Sequence, residues 1–142
     1  MSFSLDLSAF TKKAGANADL VVKRVVAGMA ESVIEMSPVG DGAYWKHPPP
    51  KGYVGGRFRA NWDYGFNEIP RAVFDTVDKT GGVALRAINA KLRASSTDGI
   101  HYLANNLPYA QRIEDGWSRQ APVGVVGVTT FKFQRLVREA VQ

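Results

Sequence analysis

Few side chains in this sequence are of the kinds that activate water, hold a metal or form a covalent intermediate. There are two histidines and no cysteine. His47 precedes three prolines. His101 falls in an alternating segment, where it reads as a surface imidazole on the polar face of a strand. Neither belongs to a His-Glu-x-x-His pattern, so no zinc site is expected. The lack of cysteine excludes disulfides and thiolate ligands. Asp41, near His47, reads as a turn aspartate. The glycine clusters do not make a phosphate loop. Gly40-Asp41-Gly42-Ala43-Tyr44-Trp45-Lys46 lacks the glycine before lysine and the hydroxyl residue after it, and Gly52–Arg57 opens a strand and not a helix. Glu31 and Glu35, one helical turn apart, and the adjacent Glu114 and Asp115 read as solvated carboxylates, with nothing marking either pair as a tuned acid–base couple. The expectation is a chain with no catalytic activity, no metal and no cofactor.

The net charge of +5 raises a second possibility, a small single-stranded nucleic-acid-binding protein. Arg57 and Arg59 lie beside Trp62 and Tyr64, a pairing that holds phosphates and stacks bases elsewhere. Strict alternation, however, puts these arginines and aromatics on opposite faces, whereas a stacking platform needs them on one. The basic surplus is also spread along the chain, as on an ordinary solvated surface.

These residues must be positioned by a core, and 142 residues with 45% hydrophobic content suffice for a single domain over residues 1–142. Residues 8–36 read as one helix, about 40 Å long at 1.5 Å per residue. Ser8 would cap it, Gly15 and Gly28 could bend it, and Pro38 ends it. Residues 40–56 form an aromatic and proline-rich loop carrying Tyr44, Trp45 and Tyr53. Residues 57–66 alternate, which predicts a strand burying Phe58, Trp62 and Phe66, with Arg57, Arg59, Asn61 and Asp63 facing water. On that reading Arg59→Ala costs under about 1 kcal/mol. A second helix spans 75–94 with Val77, Ala84, Leu85, Ile88 and Leu92 on its apolar face. A second strand spans 100–105. A short helix follows Pro108, with Ile113 entering the core and Arg112 and Glu114 outside. Residues 116–127 read as extended, and a terminal helix begins at Thr129 or Thr130. The fold class is α+β: a long N-terminal helix, a small antiparallel sheet, a second helix and a short C-terminal helix. No run is long and apolar enough to span a bilayer, and the N-terminus lacks the pattern of a signal peptide, so no membrane association is expected.

Three blocks in order resemble a known family. They are Ser37-Pro38-Val39 after the long helix, Gly55-Gly56-Arg57-Phe58-Arg59-Ala60-Asn61-Trp62, and Asn105-Asn106-Leu107-Pro108-Tyr109-Ala110-Gln111-Arg112-Ile113-Glu114-Asp115-Gly116-Trp117-Ser118-Arg119-Gln120-Ala121-Pro122. Over nearly its whole length the chain is similar to the tail-completion or head–tail joining proteins of long-tailed bacteriophages and prophages. One segment departs from the family's spacing: Tyr44–Val54 is longer. The resemblance implies a homo-oligomeric ring, six copies at the head-proximal end of the tail, made in the host cytoplasm and located in the virion. It implies other neck and tail proteins as partners (a tail terminator or tube, a head–tail connector), passive contact with DNA in the lumen, and no catalysis. A ring joins two different surfaces of each copy. The residues expected at such surfaces are Tyr44, Trp45, Tyr53, Arg112, Glu114, Trp117 and Arg119, with Arg119 pairing Glu114 of a neighbour.

Overall fold

In a computed structural model, which describes residues 1–6, 18–44, 46–96 and 98–141, the chain is α+β. Three antiparallel strands, β1 (Ser2–Asp6), β2 (Trp62–Phe66) and β3 (Ile100–Asn105), form a sheet of order β1-β3-β2. Phe3 lies opposite Leu103 and Leu5 opposite His101 on one side of β3. On the other side, Trp62 lies opposite Asn105, Tyr64 opposite Leu103 and Phe66 opposite His101. The strand at the N-terminus has no counterpart in the sequence reading, because its apolar alternation is only Phe3 and Leu5.

Helix α1 (Ala18–Met36) covers the sheet with a wide apolar face: Val22, Val25, Val26, Met29 and Val33 are fully buried. It ends before Pro38, as expected. The proposed start of this helix, with Ser8 and Gly15, lies outside the described residues. Helix α3 (Gly82–Ala94) packs beside α1 through Ala84, Ile88 and Leu92. It starts later than the predicted residue 75. Gly81 turns the chain with φ 74°, and the Asp78 carboxylate accepts the N–H of Val83 at 2.9 Å and of Thr80 at 2.9 Å. That carboxylate satisfies donors at the helix start. Val77 therefore stays outside the helix and 45% exposed.

The segment 57–66 is not one strand. Residues Arg57–Ala60 form one helical turn, α2, and only Trp62–Phe66 is extended. Gly56, at φ 111°, starts the turn where a Cβ would meet the backbone of Lys79. A single turn can bury Phe58 and Ala60 as an alternating strand would, so the pattern misled. The inferred polar face is also corrected. Asn61 and Asp63 are 0% and 5% exposed, and each is buried because it is satisfied. The Asn61 amide donates to Arg57 O and Phe74 O and accepts from Phe74 N. Asp63 accepts from Tyr64 N and from Lys91 Nζ at 2.6 Å. His101 is likewise buried and not on the surface; its Nδ1 hydrogen-bonds the Tyr64 hydroxyl at 2.7 Å.

The C-terminal part comprises α4 (Ala110–Glu114), α5 (Val126–Phe131) and α6 (Phe133–Ala140). Residues 116–125 are turns rather than an extended strand. Thr129 does not cap the last helix; it is buried in α5, its hydroxyl 2.9 Å from that of Ser32. Both α5 and α6 pack on α1. Among the described residues no helix is long and apolar enough to cross a membrane.

Candidate functional site: an apolar groove at the end of the sheet

The Ser37-Pro38-Val39 turn leaves α1 and is fixed at once. Trp62 Nε1–H donates to Ser37 Oγ at 2.7 Å, and that hydroxyl donates to Val33 O. Arg59 reaches from α2 to the same place. Its guanidinium donates to Glu35 O, Ser37 O and Lys79 O at 3.1, 2.7 and 2.7 Å. Carbonyls at the end of α1, which lack partners within the helix, are thereby satisfied by a cation. Arg59 is thus a tie between three segments and not a free surface arginine.

The third block lies against the second. Asn105 donates to Phe58 O at 2.8 Å and accepts from Leu107 N. The ring of Tyr109 lies 6.2 Å from that of Phe58. The side chain of Gln120 then clasps Val39, donating to its carbonyl at 2.7 Å and accepting its N–H at 3.0 Å. Between these anchors runs a groove of about 530 Å³. Pro38, Tyr53, Phe58, Val77, Tyr109 and Ile113 contribute its apolar walls, and among the described residues Arg57 is the one charged side chain lining it. Burial pushes the Tyr109 phenol above its ordinary pKa, with Arg57 opposing. The Tyr53 hydroxyl lies so close over Gly40 that a Cβ there would collide with it.

The expected surface residues separate into groups. Tyr53 lines the groove. Trp45 and the Tyr44 side chain lie outside what the structure describes. Arg112 and Trp117 form an exposed pair: the guanidinium carbon is 5.1 Å from the indole centroid, and Trp117 is 72% exposed. Arg119 is exposed beside Ser118 and Gln120 of the groove.

Glu114 is corrected. Its carboxylate accepts the backbone N–H groups of Val125, Val126 and Gly127 at 2.8, 2.8 and 3.0 Å. It caps α5 within its own chain, so pairing with a neighbour's Arg119 has no support. Of the expected core, Phe58, Trp62 and Ile113 are buried, while Phe66 is partly exposed and packs its ring 5.3 Å from His101. The sequence alone assigns Pro38, Val77 and Gln120 no role at an interface: Pro38 reads as a helix stop and Val77 as a helix-face residue. Only folding brings them together, and no local pattern marks them.

Among the described residues no group of three or more His, Asp or Glu side chains could hold a metal ion. Arg57 and Arg59 do not form a stacking platform: Arg59 is spent on carbonyls, and Arg57 pairs loosely with Asp75 at 3.5 Å. No known protein family, no curated protein and no solved structure matches the chain.

Proposed function

We propose that the chain is a structural subunit of a long-tailed phage virion, forming a ring at the head-proximal end of the tail that completes the tail and joins it to the head. One observation carries the reading. The three sequence blocks that resemble the tail-completion family, far apart in the chain, bond directly to one another through Ser37–Trp62, Arg59–Ser37 and Asn105–Phe58. Their shared product is a surface groove walled by aromatic and aliphatic side chains. Apolar concavities with a few polar groups are common docking sites. The exposed Arg112–Trp117 pair beside it is of the residue types most enriched among interface hot spots.

The test is assembly. Sedimentation velocity and negative-stain imaging of the purified protein, alone and with tails lacking their end protein, are expected to give rings or capped tails. A chain that stays monomeric and leaves such tails open, yet retards single-stranded DNA in a gel with steep salt dependence, would reverse the reading in favour of nucleic-acid binding.

A further inference from the structure

We propose that Met36 is a site of reversible oxidation by peroxide, and that Lys132 and Ser32 form a ready receptor for its sulfoxide oxygen. The proposal does not depend on the ring reading.

Met36 is the last residue of α1 and lies partly exposed at the edge of the core. Its sulfur is the end point of a chain of donors. The Lys132 ammonium, between α5 and α6, donates to Met36 Sδ at 3.5 Å and to Ser32 Oγ at 3.3 Å. Ser32 Oγ lies 2.9 Å from Thr129 Oγ1 and donates to Met36 Sδ at 3.9 Å. The directions follow from the protons available. An ammonium can only donate, and a serine hydroxyl has one proton to give. With that proton on the sulfur, the Ser32 oxygen accepts from Lys132 and Thr129. A cation and a hydroxyl it polarises thus converge on one thioether.

The donors exceed what a thioether can use. Sulfur is a weak acceptor, and both contacts to it are long. Ser32 and Thr129 are 6% and 0% exposed, which closes that side to water. Among the described residues no carboxylate pairs with Lys132. Oxidation supplies the strong acceptor. The sulfur lone pair takes one oxygen of hydrogen peroxide, and the O–O bond breaks. The second oxygen leaves as water with both hydrogens. Sulfur gives up two electrons, which the peroxide gains. The new oxygen carries partial negative charge towards Lys132 and Ser32, where charge-assisted hydrogen bonds form. Methionine sulfoxide reductases reverse the step.

A sulfoxide ordinarily disrupts a core, because an apolar side chain turns polar. At Met36 the added oxygen meets donors already in place, and the loss is offset. Met29, by contrast, is 0% exposed on the buried face of α1 and closed to peroxide. The Lys132 contact joins the end of α1 to the junction of α5 and α6, beside the Ser37–Pro38 turn that borders the groove. Oxidation therefore tightens that corner of the fold.

Peroxide treatment of the full chain, followed by peptide mass mapping and thermal melting, tests this. Met36 is expected to gain one oxygen while Met29 gains none, and a methionine sulfoxide reductase should remove it. The oxidised wild type should melt no lower than the reduced protein. Lys132→Leu, which removes the cation, should melt about 3 °C or more lower when oxidised than when reduced. Ser32→Ala should show a smaller fall of the same sign, and it carries the comparison if Lys132→Leu does not fold. Met36→Leu, treated in parallel, reports the effect of oxidation at Met1. If Met36 stays unoxidised while Met1 reacts, or if oxidation lowers the melting of wild type as much as that of the variants, the receptor does not exist.

Discussion

Trp62 and Ser37 are joined by a buried hydrogen bond of 2.7 Å, from the indole N–H to the hydroxyl that ends α1. Ser37 is 1% exposed and Trp62 is 1% exposed. Deleting the hydroxyl leaves an indole N–H without water or partner. Ser37→Ala is expected to destabilise by about 1–3 kcal/mol, and Trp62→Ala by about 3–5 kcal/mol. Urea denaturation of both and of the double variant should show less than additive loss, since the hydrogen bond is counted once in each single change.

Arg59 is expected to behave as a structural tie. Removing it strands carbonyls of Glu35, Ser37 and Lys79. Arg59→Ala should lower stability by about 1.5–3 kcal/mol, the range for hydrogen bonds to a charged group. Arg59→Lys should recover only part, because an ammonium cannot reproduce the planar fork. A loss below about 0.5 kcal/mol in urea denaturation, the range of an ordinary surface change, would contradict the tie.

Glu114 is expected to matter to α5 within one chain. Glu114→Ala should cost about 1–2 kcal/mol through loss of the cap. Glu114→Gln should cost less, since its amide oxygen can still accept. Hydrogen exchange at Val125, Val126 and Gly127 is the direct measure: those amides should exchange faster in the alanine variant while β3 amides keep their protection.

Acid should weaken the start of α3. Backbone and hydroxyl donors from Val83 and Thr80 hold the Asp78 carboxyl down to about 2, against an ordinary value of 3.8. A depressed carboxylate pKa stabilises the fold above the ordinary value and loses that contribution as pH falls towards the folded one. Thermal melts of wild type and Asp78→Asn should differ at pH 6 and converge between about pH 4 and 2. A difference that holds constant to pH 2 would exclude the carboxylate as its source.

How far the sequence revealed this fold depended on how long each pattern ran. The stripe from Ala18 to Met36 covers five turns and defined α1; Ile100–Asn105, bounded by a turn, defined β3. The alternation from Arg57 to Phe66 failed because its first half is a single helical turn. Phe58 and Ala60 are buried either way, and only Gly56's left-handed backbone separates the two readings. Asn61, Asp63 and His101 were misplaced for a common reason. Each is polar by type, and its burial depends on a partner distant in sequence: Phe74, Lys91 or Tyr64. Of the groove's lining, Tyr53 stood out as a large side chain in a loop. Pro38 reads as a helix stop and Val77 as a helix-face residue, since nothing local distinguishes a groove wall from any other loop or helix residue.

The strand order β1-β3-β2 also bears on how the chain is made. Ser2 pairs with Ala104 and Phe66 with His101, so both outer strands wait for the central one. On the ribosome, β1 and β2 emerge before the strand that pairs with both of them. The ladder of β1 and β2 must remain unpaired through most of synthesis, and sheet formation becomes a late event governed by distant contacts. Truncations that stop before Ile100 should therefore be products for chaperones and proteases, with no sheet to protect them.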